Sequence, residues 1–412
     1  MPEHAPIIEV QPPRRAGGNV ASPSAAARLP AFIAGPADAA AKLGALKVLT
    51  IGVGSVGGRV VLHLARLGLA SLWLIDPKRF KAESVLTHDI DPRSVGNFKA
   101  QVTARRCKAI SPATRVFAGR VRVEDLPVDA FADADLVVLA ADNLAAEIEV
   151  GRRCVRFGKP LVQAAVHGDT LTVQVRVFGN VDQQSPCPAC GFGEGEWRML
   201  NEQVRFSCDG SGAALVQGAL ATMSVSSLCS LAADLAVNQV LRVALALGES
   251  VLDTGLEYCG YTNRSVSSRL VRNARCPSEH ARWRLAPEIK SLSACSPADL
   301  SRLAGFDPAS ASTTFAVEGF NWVESGMCRC ALPQAVRCFV PEARHRAGRC
   351  SQCRSSIRVQ PIFEHQVVSA ALLGAAAGQP LANLGAAAAR CVWLSNGGES
   401  VLFRGPHDQR LP

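Results

Sequence analysis

The chain has 412 residues, of which 48% are hydrophobic, so it is long enough for two or three domains with large cores. Its formal charge of +9 is compatible with nucleic acid, an acidic protein or a nucleotide as partner. Aromatic residues make up only 5%, and no nucleic-acid-binding motif is present, so we expect no nucleic-acid partner. No apolar run approaches the length of a membrane span and no secretory signal is evident, which predicts a cytoplasmic protein without a membrane partner.

Cysteine content and local composition give a first division of the chain. Fifteen cysteines without an export signal favour metal sites and reactive thiols over disulfides. Residues 1–44 are rich in proline, glycine and alanine, and we interpret them as a flexible arm. We predict one domain over residues 45–284 and a second, with a different pattern, over residues 285–412.

The chain is organised around a glycine turn, GVGSVG, that follows the apolar run Val48–Ile51 and precedes a helical pattern. In such a strand–turn–helix unit Gly52 permits the tight turn, Gly54 lets the backbone approach a phosphate, and Gly57 lets the helix pack closely. The next strand ends in Asp76, roughly 20 residues on, where a carboxylate suits a ribose hydroxyl. The pattern predicts a nucleotide site without distinguishing NAD from ATP; the alternative is a glycine-rich turn that binds nothing.

Strands and helices alternate through about residue 178, which predicts a parallel sheet with right-handed crossovers. We predict an α/β fold: a Rossmann-like, doubly wound, mostly parallel sheet with helices on both faces. A buried-strand pattern at residues 134–140 ends in Ala141-Asp142-Asn143. Because ligands bind beyond the carboxyl ends of such strands, we expect Asp76 and Asp142 to face the same crevice as the glycines.

Two thiols two residues apart, Cys187 and Cys190, are typical of a metal knuckle. Cys276 and His280 come later in the chain and would complete a four-ligand zinc site. A redox pair is the alternative for Cys187 and Cys190, and an inert exposed loop is the alternative for the later residues.

Cys208 lies shortly before a long helical stretch, from about Ala213 to Leu247, that is apolar on most faces. We expect that stretch to be buried, partly in a dimer interface. A thiol near a helix N-terminus has a lowered pKa and can act as a nucleophile. The alternative is an ordinary buried cysteine.

The pattern changes from about residue 285, where the alternation of strands and helices stops. Two close cysteine pairs then resemble a zinc ribbon, and a metal there would stabilise a small fold. The four predicted ligands are Cys328, Cys330, Cys350 and Cys353, with Cys338 and His345 as spare candidates. We expect an Ala/Leu helix and a hairpin-like segment from Cys391 to Phe403 near the end.

The order of these motifs resembles that of the ThiF/MoeB/ubiquitin-activating enzyme family over roughly residues 45–282. Taken singly the motifs are weak, but their order and spacing together are specific. The residues that carry the resemblance are GVGSVG at 52–57, Asp76, VGNFKA at 95–100 with Lys99, Ala141-Asp142-Asn143, CPAC at 187–190, SCDGSG at 207–212 and CPSEH at 276–280.

The resemblance implies adenylation of the C-terminal carboxylate of a ubiquitin-like or sulfur-carrier protein with Mg²⁺ and ATP. It implies that the glycine loop cradles phosphate and that Asp76 holds the ribose. Lys99 would offset negative charge at the α-phosphate, and Asp142 would help to hold Mg²⁺ or orient the attack. Cys208 matches the thiol that forms a thioester in some members. The resemblance further implies a homodimer and an accepting conjugating enzyme.

The chain departs from the family pattern after Asp76. The arginine expected at the γ-phosphate is replaced by Thr87, and only His88 fits a variant of that motif. The lost arginine motivates one alternative, a non-adenylating scaffold that pairs with an active subunit. The glycine motif and Asp76 allow a second alternative, an NAD-dependent oxidoreductase. The arginines that could substitute for the missing one are Arg14, Arg15, Arg79 and Arg93.

Overall fold

A computed structural model describes residues 7–12, 36–141, 143–200, 224–330, 333–342 and 346–406. These residues divide into two compact units. The first contains the described residues up to Leu126 together with Ala130–His280, and the second contains Pro127–Asp129 and the chain from Ala281 onward. Each unit is built around a sheet of its own.

In the described residues the first unit has a nine-stranded sheet. Its strands are β1 Ile8–Glu9, β2 Lys47–Ile51, β3 Ser71–Ile75, β4 Arg115–Gly119, β5 Leu136–Leu139, β6 Leu161–His167, β7 Thr172–Phe178, β8 Thr254–Cys259 and β9 Arg264–Arg269. The spatial order is β1-β4-β3-β2-β5-β6-β7-β8-β9. The five strands from β4 to β6 in this order are parallel, and the strands outside them are antiparallel to their neighbours. The predicted Rossmann-like α/β fold is confirmed.

Strand register brings the predicted nucleotide residues to one edge of this sheet. Ile51, at the end of β2, pairs with Ile75 on one side and with Leu139 on the other. The glycine turn, Asp76 and the segment after β5 therefore all leave the sheet at the carboxyl ends of neighbouring parallel strands. The sequence could predict this because parallel strands of similar length place their ends side by side.

The helices of the first unit pack apolar faces against the sheet. Val60, Val61 and Leu64 are all fully buried on one face, as the spacing in the sequence predicts. The helices whose bounds lie within the described residues are α1 Pro36–Ala45, α2 Gly57–Arg66, α3 Ser84–Thr87, α4 Lys99–Ile110, α5 Asp129–Asp133, α6 Leu144–Phe157 and α7 Ser226–Leu245. The described residues 194–200 are also helical.

The long helix α7 corrects the expectation that no apolar segment approaches the length of a membrane span. Its 20 residues are long and apolar enough to cross a membrane by length and composition alone. However, α7 packs against α2, β6 and β7, and its alanines Ala232, Ala233 and Ala236 are fully buried in the core. Core helices pass the same hydropathy test, so the test by itself is weak grounds for a membrane span.

The described part of the second unit contains a ten-stranded mixed sheet. Its strands are β10 Trp283–Leu285, β11 Thr314–Val317, β12 Phe320–Met327, β13 Pro333–Pro341, β14 Arg346–Arg349, β15 Ser356–Val359, β16 Glu364–His365, β17 Val368–Ser369, β18 Cys391–Ser395 and β19 Ser400–Arg404. The predicted hairpin is present, because β18 and β19 pair antiparallel from Cys391↔Arg404 to Ser395↔Ser400. The unit also contains the helices α8 Pro297–Ala304 and α9 Ala370–Leu373.

Two expectations for this unit need correction. It has an apolar core of its own, with Trp322, Leu381 and Val401 almost fully buried, so a metal would support only its ribbon-like part. The expected Ala/Leu helix is only the four-residue α9. Gly374, with φ of +51°, ends that helix, and a 3₁₀ turn over Gly374–Gly378 follows.

Candidate nucleotide site and cysteine clusters

At two glycines of the loop, other backbone atoms approach so closely that there is no room for a side chain. Gly52 has φ of +87°, and a Cβ there would lie 2.7 Å from the carbonyl of Ala140. A Cβ on Gly57 would lie 2.0 Å from the carbonyl oxygen of Gly52. Helix α2 starts at Gly57 without any side-chain cap. The N–H groups of Gly58 and Arg59 already donate to the carbonyl oxygens of Gly54 and Val56, so of the first three N–H groups of the helix only that of Gly57 is available to an anion.

Replacing Gly57 by alanine should abolish nucleotide binding, because the new methyl group would displace the loop from the end of α2. Gly58 is a matched control, since a Cβ there would lie 3.8 Å from its nearest neighbour, the carbonyl oxygen of Val53. Gly58→Ala should keep nucleotide affinity and stabilise α2 by up to about 1 kcal/mol. Titration with a fluorescent ATP analogue checks both variants, and equal loss in the two would contradict this account of Gly57.

Asp76 holds the glycine loop against the sheet. Its side chain is buried, with 6% of its surface exposed. Oδ2 accepts a hydrogen bond from Val53 N at 2.9 Å, and Oδ1 accepts one from Lys78 N at 2.8 Å. Each carboxylate oxygen has a second lone pair, so Asp76 can fix the loop and still accept a ribose hydroxyl.

Three nitrogen-bearing side chains, Lys99, His88 and Arg59, gather beside the loop. Lys99 Nζ lies 3.2 Å from His88 Nε2, and Thr87 Oγ1 lies 2.9 Å from His88 Nδ1. Burial, followed by the charges of Lys99 and Arg59, lowers the pKa of His88 to about 4. The ring is therefore neutral at pH 7, and its Nε2 can accept a hydrogen bond from Lys99 while Nδ1–H donates to Thr87.

The state of His88 predicts a pH dependence of stability. A histidine pKa that falls from 6.5 to about 4 on folding favours the folded state above pH 6.5, and that contribution is lost as pH falls towards 4. The shift corresponds to about 3 kcal/mol for a buried group, which we discount to about 1–2 kcal/mol for this half-exposed ring. His88→Gln should remove this part of the pH dependence in urea unfolding between pH 4 and 7; superimposable wild-type and variant profiles would contradict it.

Arg59 was not predicted from the sequence and is the arginine that the structure places at this loop. Its NH1 donates to the carbonyl oxygens of Ser55 and Thr87, the latter at 2.8 Å. Its NH2 donates to Ser226 Oγ at 2.7 Å. No described carboxylate pairs with it, so its positive charge is available to an anion. The available sequence signal was an arginine in the first turn after the glycines.

The arginines proposed from the sequence as substitutes are placed differently. Arg79 stacks on Phe98, with its Cζ 3.7 Å from the ring centroid, and donates to Gly96 O. Arg93 is exposed in a 3₁₀ turn. Arg14, Arg15, Asp142 and Cys208 lie outside the described residues.

The first predicted cysteine cluster is assembled on α6. The ligand atoms of Cys187, Cys190, Cys276 and His280 all lie within 4.8 Å of one another. Cys187 Sγ is 3.9 Å from Cys190 Sγ and 3.8 Å from Cys276 Sγ, while Cys190 Sγ is 3.6 Å from His280 Nε2. Ligands bound about 2.3 Å from a tetrahedral ion lie about 3.8 Å apart, so these four atoms have the spacing of a metal site.

Packing and electrostatics both favour metal binding at this cluster. A Cβ on Gly151 of α6 would lie 2.6 Å from Pro188 Cδ, so the knuckle rests directly on the helix. The hydrogen bond between the thiols lowers the pKa of Cys190 to about 4 and raises that of Cys187. The lowered pKa favours the thiolate form of Cys190, which is the form that binds metals.

The second predicted cluster is also assembled, with the thiols of Cys328, Cys330, Cys350 and Cys353 within 4.8 Å of one another. Hydrogen bonds from Ser355 lower the pKa of Cys353 to about 6, and Ser355 Oγ lies 2.9 Å from Cys353 Sγ. Of the spare candidates, Cys338 is not part of it and lies in β13 beside another apolar cluster. His345 lies outside the described residues. In both clusters the four side chains named from the sequence lie together, and metal binding by them stays a prediction.

Comparison with known proteins identifies the family. The ThiF family model matches residues 27–279, which is more than half of the chain. The chain therefore belongs to the ThiF family.

Curated relatives match the chain over different lengths. It is 29% identical to Protein HesA of Leptolyngbya boryana over 60% of this chain and 82% of that protein. It is 31% identical to the Sulfur carrier protein ThiS adenylyltransferase of Escherichia coli over 32% of this chain and 53% of that protein. It is 30% identical to Adenylyltransferase and sulfurtransferase MOCS3-2 of Zea mays over 37% of this chain and 31% of that protein. The chain thus spans about half of the bacterial adenylyltransferase and about a third of the maize protein.

A solved structure, that of E. coli MccB with ATP, aligns with a TM-score of 0.48 at 18% sequence identity. The alignment covers 59% of this chain and 69% of that one. A similarity at this level carries no argument about function.

Proposed function

We propose that this protein adenylates the C-terminal carboxylate of a ubiquitin-like or sulfur-carrier protein, using ATP and releasing pyrophosphate. The observation that carries the proposal is that the glycine loop before α2, Asp76 and the Lys99–His88 pair lie together in a chain of the ThiF family. Named relatives are sulfur-carrier adenylyltransferases, which supports the choice of substrate.

The proposed reaction needs positioning and charge stabilisation rather than a protein nucleophile. A carboxylate oxygen of the carrier attacks the α-phosphorus, and the bond to the departing pyrophosphate breaks. The N–H group of Gly57, at the start of α2, donates to a phosphate oxygen, and Asp76 accepts a ribose hydroxyl. Lys99, oriented by the neutral ring of His88, stabilises the charge that grows on the α-phosphate.

Arg59 supplies, in this proposal, the guanidinium that the family motif places at residue 87. Its hydrogen bond to the carbonyl oxygen of Thr87 puts the same chemical group beside the same stretch of backbone. We propose that it faces the β- and γ-phosphates. The Mg²⁺ that accompanies ATP would neutralise phosphate charge, and Asp142 stays our predicted ligand for it.

We further propose Zn²⁺ at both cysteine clusters, since each offers four sulfur or imidazole ligands at a suitable spacing. Transfer of the activated carboxylate to Cys208 as a thioester is a proposal that rests on the family resemblance. The homodimer, the accepting conjugating enzyme and the cytoplasmic location likewise stay predictions.

A second function is favoured by one observation, the presence of Thr87 where the family motif has arginine. If Arg59 does not compensate, the chain would bind ATP and act as a partner-dependent scaffold. The two functions predict different behaviour of the isolated chain, because only the first requires turnover.

Exchange of labelled pyrophosphate into ATP tests the proposal. The purified chain would be assayed alone and with a panel of ubiquitin-like and sulfur-carrier proteins from the same genome. We expect exchange with at least one carrier and none with that carrier lacking its C-terminal residue. Tight ATP binding without exchange across the panel would instead support the scaffold.

A further inference from the structure

The ribbon segment, which we define as the described residues from Cys328 to Val359, has an unusual charge. It contains no lysine or aspartate, and its one acidic residue is Glu342. Six arginines against one glutamate give a formal charge of +5, and a zinc ion with four thiolates would leave +3. All six arginines are exposed: Arg329, Arg337, Arg346, Arg349, Arg354 and Arg358.

The pairing of the strands places some of these positive charges next to each other, which destabilises the hairpin. Arg346 on β14 lies directly opposite Arg358 on β15, so their side chains share one face of the hairpin. Like charges directly opposite each other destabilise a sheet. No described carboxylate forms an ion pair with any of the six arginines. Nothing within the described unit therefore compensates the repulsion, which points to compensation by a ligand.

The composition of the ribbon segment favours an acidic protein over nucleic acid. Arginine binds carboxylates through two parallel hydrogen bonds, which suits a surface rich in Asp and Glu. Binding of single-stranded nucleic acid ordinarily uses exposed aromatic rings for base stacking. In the described part of the segment the only aromatic residue is Phe339, and it is buried at 3% exposure.

We propose that the arginine-rich ribbon segment is a docking surface for an acidic protein, namely the folded body of the carrier. This proposal rests on the proposed function for the identity of the partner. The ribbon would bind the carrier's acidic surface while the nucleotide site acts on its C-terminus. Such a division predicts that ribbon variants change the affinity for the carrier and leave the chemical step unchanged.

The first experiment measures anion binding without ATP, so its result is independent of adenylation. Full-length protein is titrated into fluorescent polyglutamate at low ionic strength, and anisotropy is recorded. We expect binding that weakens as salt is added and is reduced about tenfold by the double variant Arg346→Glu/Arg358→Glu. The matched control is Arg264→Glu/Arg269→Glu on the exposed strand β9, which makes the same charge change in the other unit and should bind like wild type.

Three outcomes would overturn the proposal. The first is that the Arg346→Glu/Arg358→Glu variant binds polyglutamate as tightly as wild type does. The second is that both double variants lose the same amount of polyglutamate affinity. The third is that the protein binds duplex DNA or RNA more tightly than polyglutamate at the same salt concentration. The last result would make the segment a nucleic-acid surface instead.

A stability measurement separates binding from a structural role. Arg346→Glu alone places an acid opposite Arg358, so it should leave the thermal midpoint at or above that of wild type while weakening polyglutamate binding. A lowered midpoint with loss of bound metal would mean that the arginine supports the fold, and would contradict the proposal. With an active carrier, the same variant should raise KM for the carrier and leave kcat unchanged.

Discussion

Replacing Lys99 by alanine should lower carrier-dependent pyrophosphate exchange by about two to three orders of magnitude, or about 3–4 kcal/mol in transition-state stabilisation. Lys99 Nζ is held against His88 Nε2 beside the glycine loop, so its charge lies where the α-phosphate is expected. Because this charge grows during the attack, the rate should fall more than the affinity for ATP does.

Two further variants make the Lys99 prediction specific. Lys99→Arg keeps the positive charge but changes its position, and should recover only part of the activity. Lys81→Ala removes an exposed lysine whose Nζ lies 3.6 Å from Glu83, and should leave exchange unchanged. Exchange by Lys99→Ala within a few-fold of wild type would mean that another group performs this role.

Replacing Cys276 by serine should release metal from the first cluster and unfold much of the first unit. Structural zinc contributes about 10–16 kcal/mol in small domains, whereas a whole protein is stable by only about 5–15 kcal/mol. The loss should be large because Cys187 and Cys190 rest on α6 through the Pro188–Gly151 contact. We expect a lower metal content by atomic emission and a lower thermal midpoint.

Cys259→Ser is the matched control for this prediction. Cys259 ends β8, and neither cysteine cluster includes it. The variant should retain the wild-type metal content and midpoint. An unchanged metal content in Cys276→Ser would contradict the four-ligand assignment.

The sequence could predict the nucleotide loop because its determinants are local. Gly52 and Gly57 are required because the strand–turn–helix geometry brings other backbone atoms close to them. Asp76 directly follows β3, the strand that pairs with β2. The cysteine clusters were predictable for a different reason. Few arrangements other than a shared metal explain two close pairs of cysteines.

Arg59 could not be predicted because its contacts span the chain. Its guanidinium reaches Thr87, 28 residues away, and Ser226, 167 residues away. No spacing rule relates these positions; only the fold brings them together. The same limit explains β9, whose sequence RSVSSR is exposed throughout and has no apolar period, yet pairs with β8 along its whole length.

The second unit was the part least predictable from the sequence. Its strands include two of only two residues, and neighbours in its sheet are often far apart in the chain. For example, β11 pairs with β18 through Thr314 and Ser395, so local patterns contain little of the topology. The sequence predicted the zinc-ribbon motif but not the apolar core of the same unit.

The most direct test of the central claim follows an oxygen atom. A carrier labelled with heavy oxygen in its C-terminal carboxylate is incubated with ATP, the enzyme and a thiol acceptor, and the released AMP is analysed by mass spectrometry. If the carboxylate attacks the α-phosphorus, one labelled oxygen must appear in AMP, and this is the result we predict. Unlabelled AMP, or ADP as the product, would contradict adenylation of the carrier.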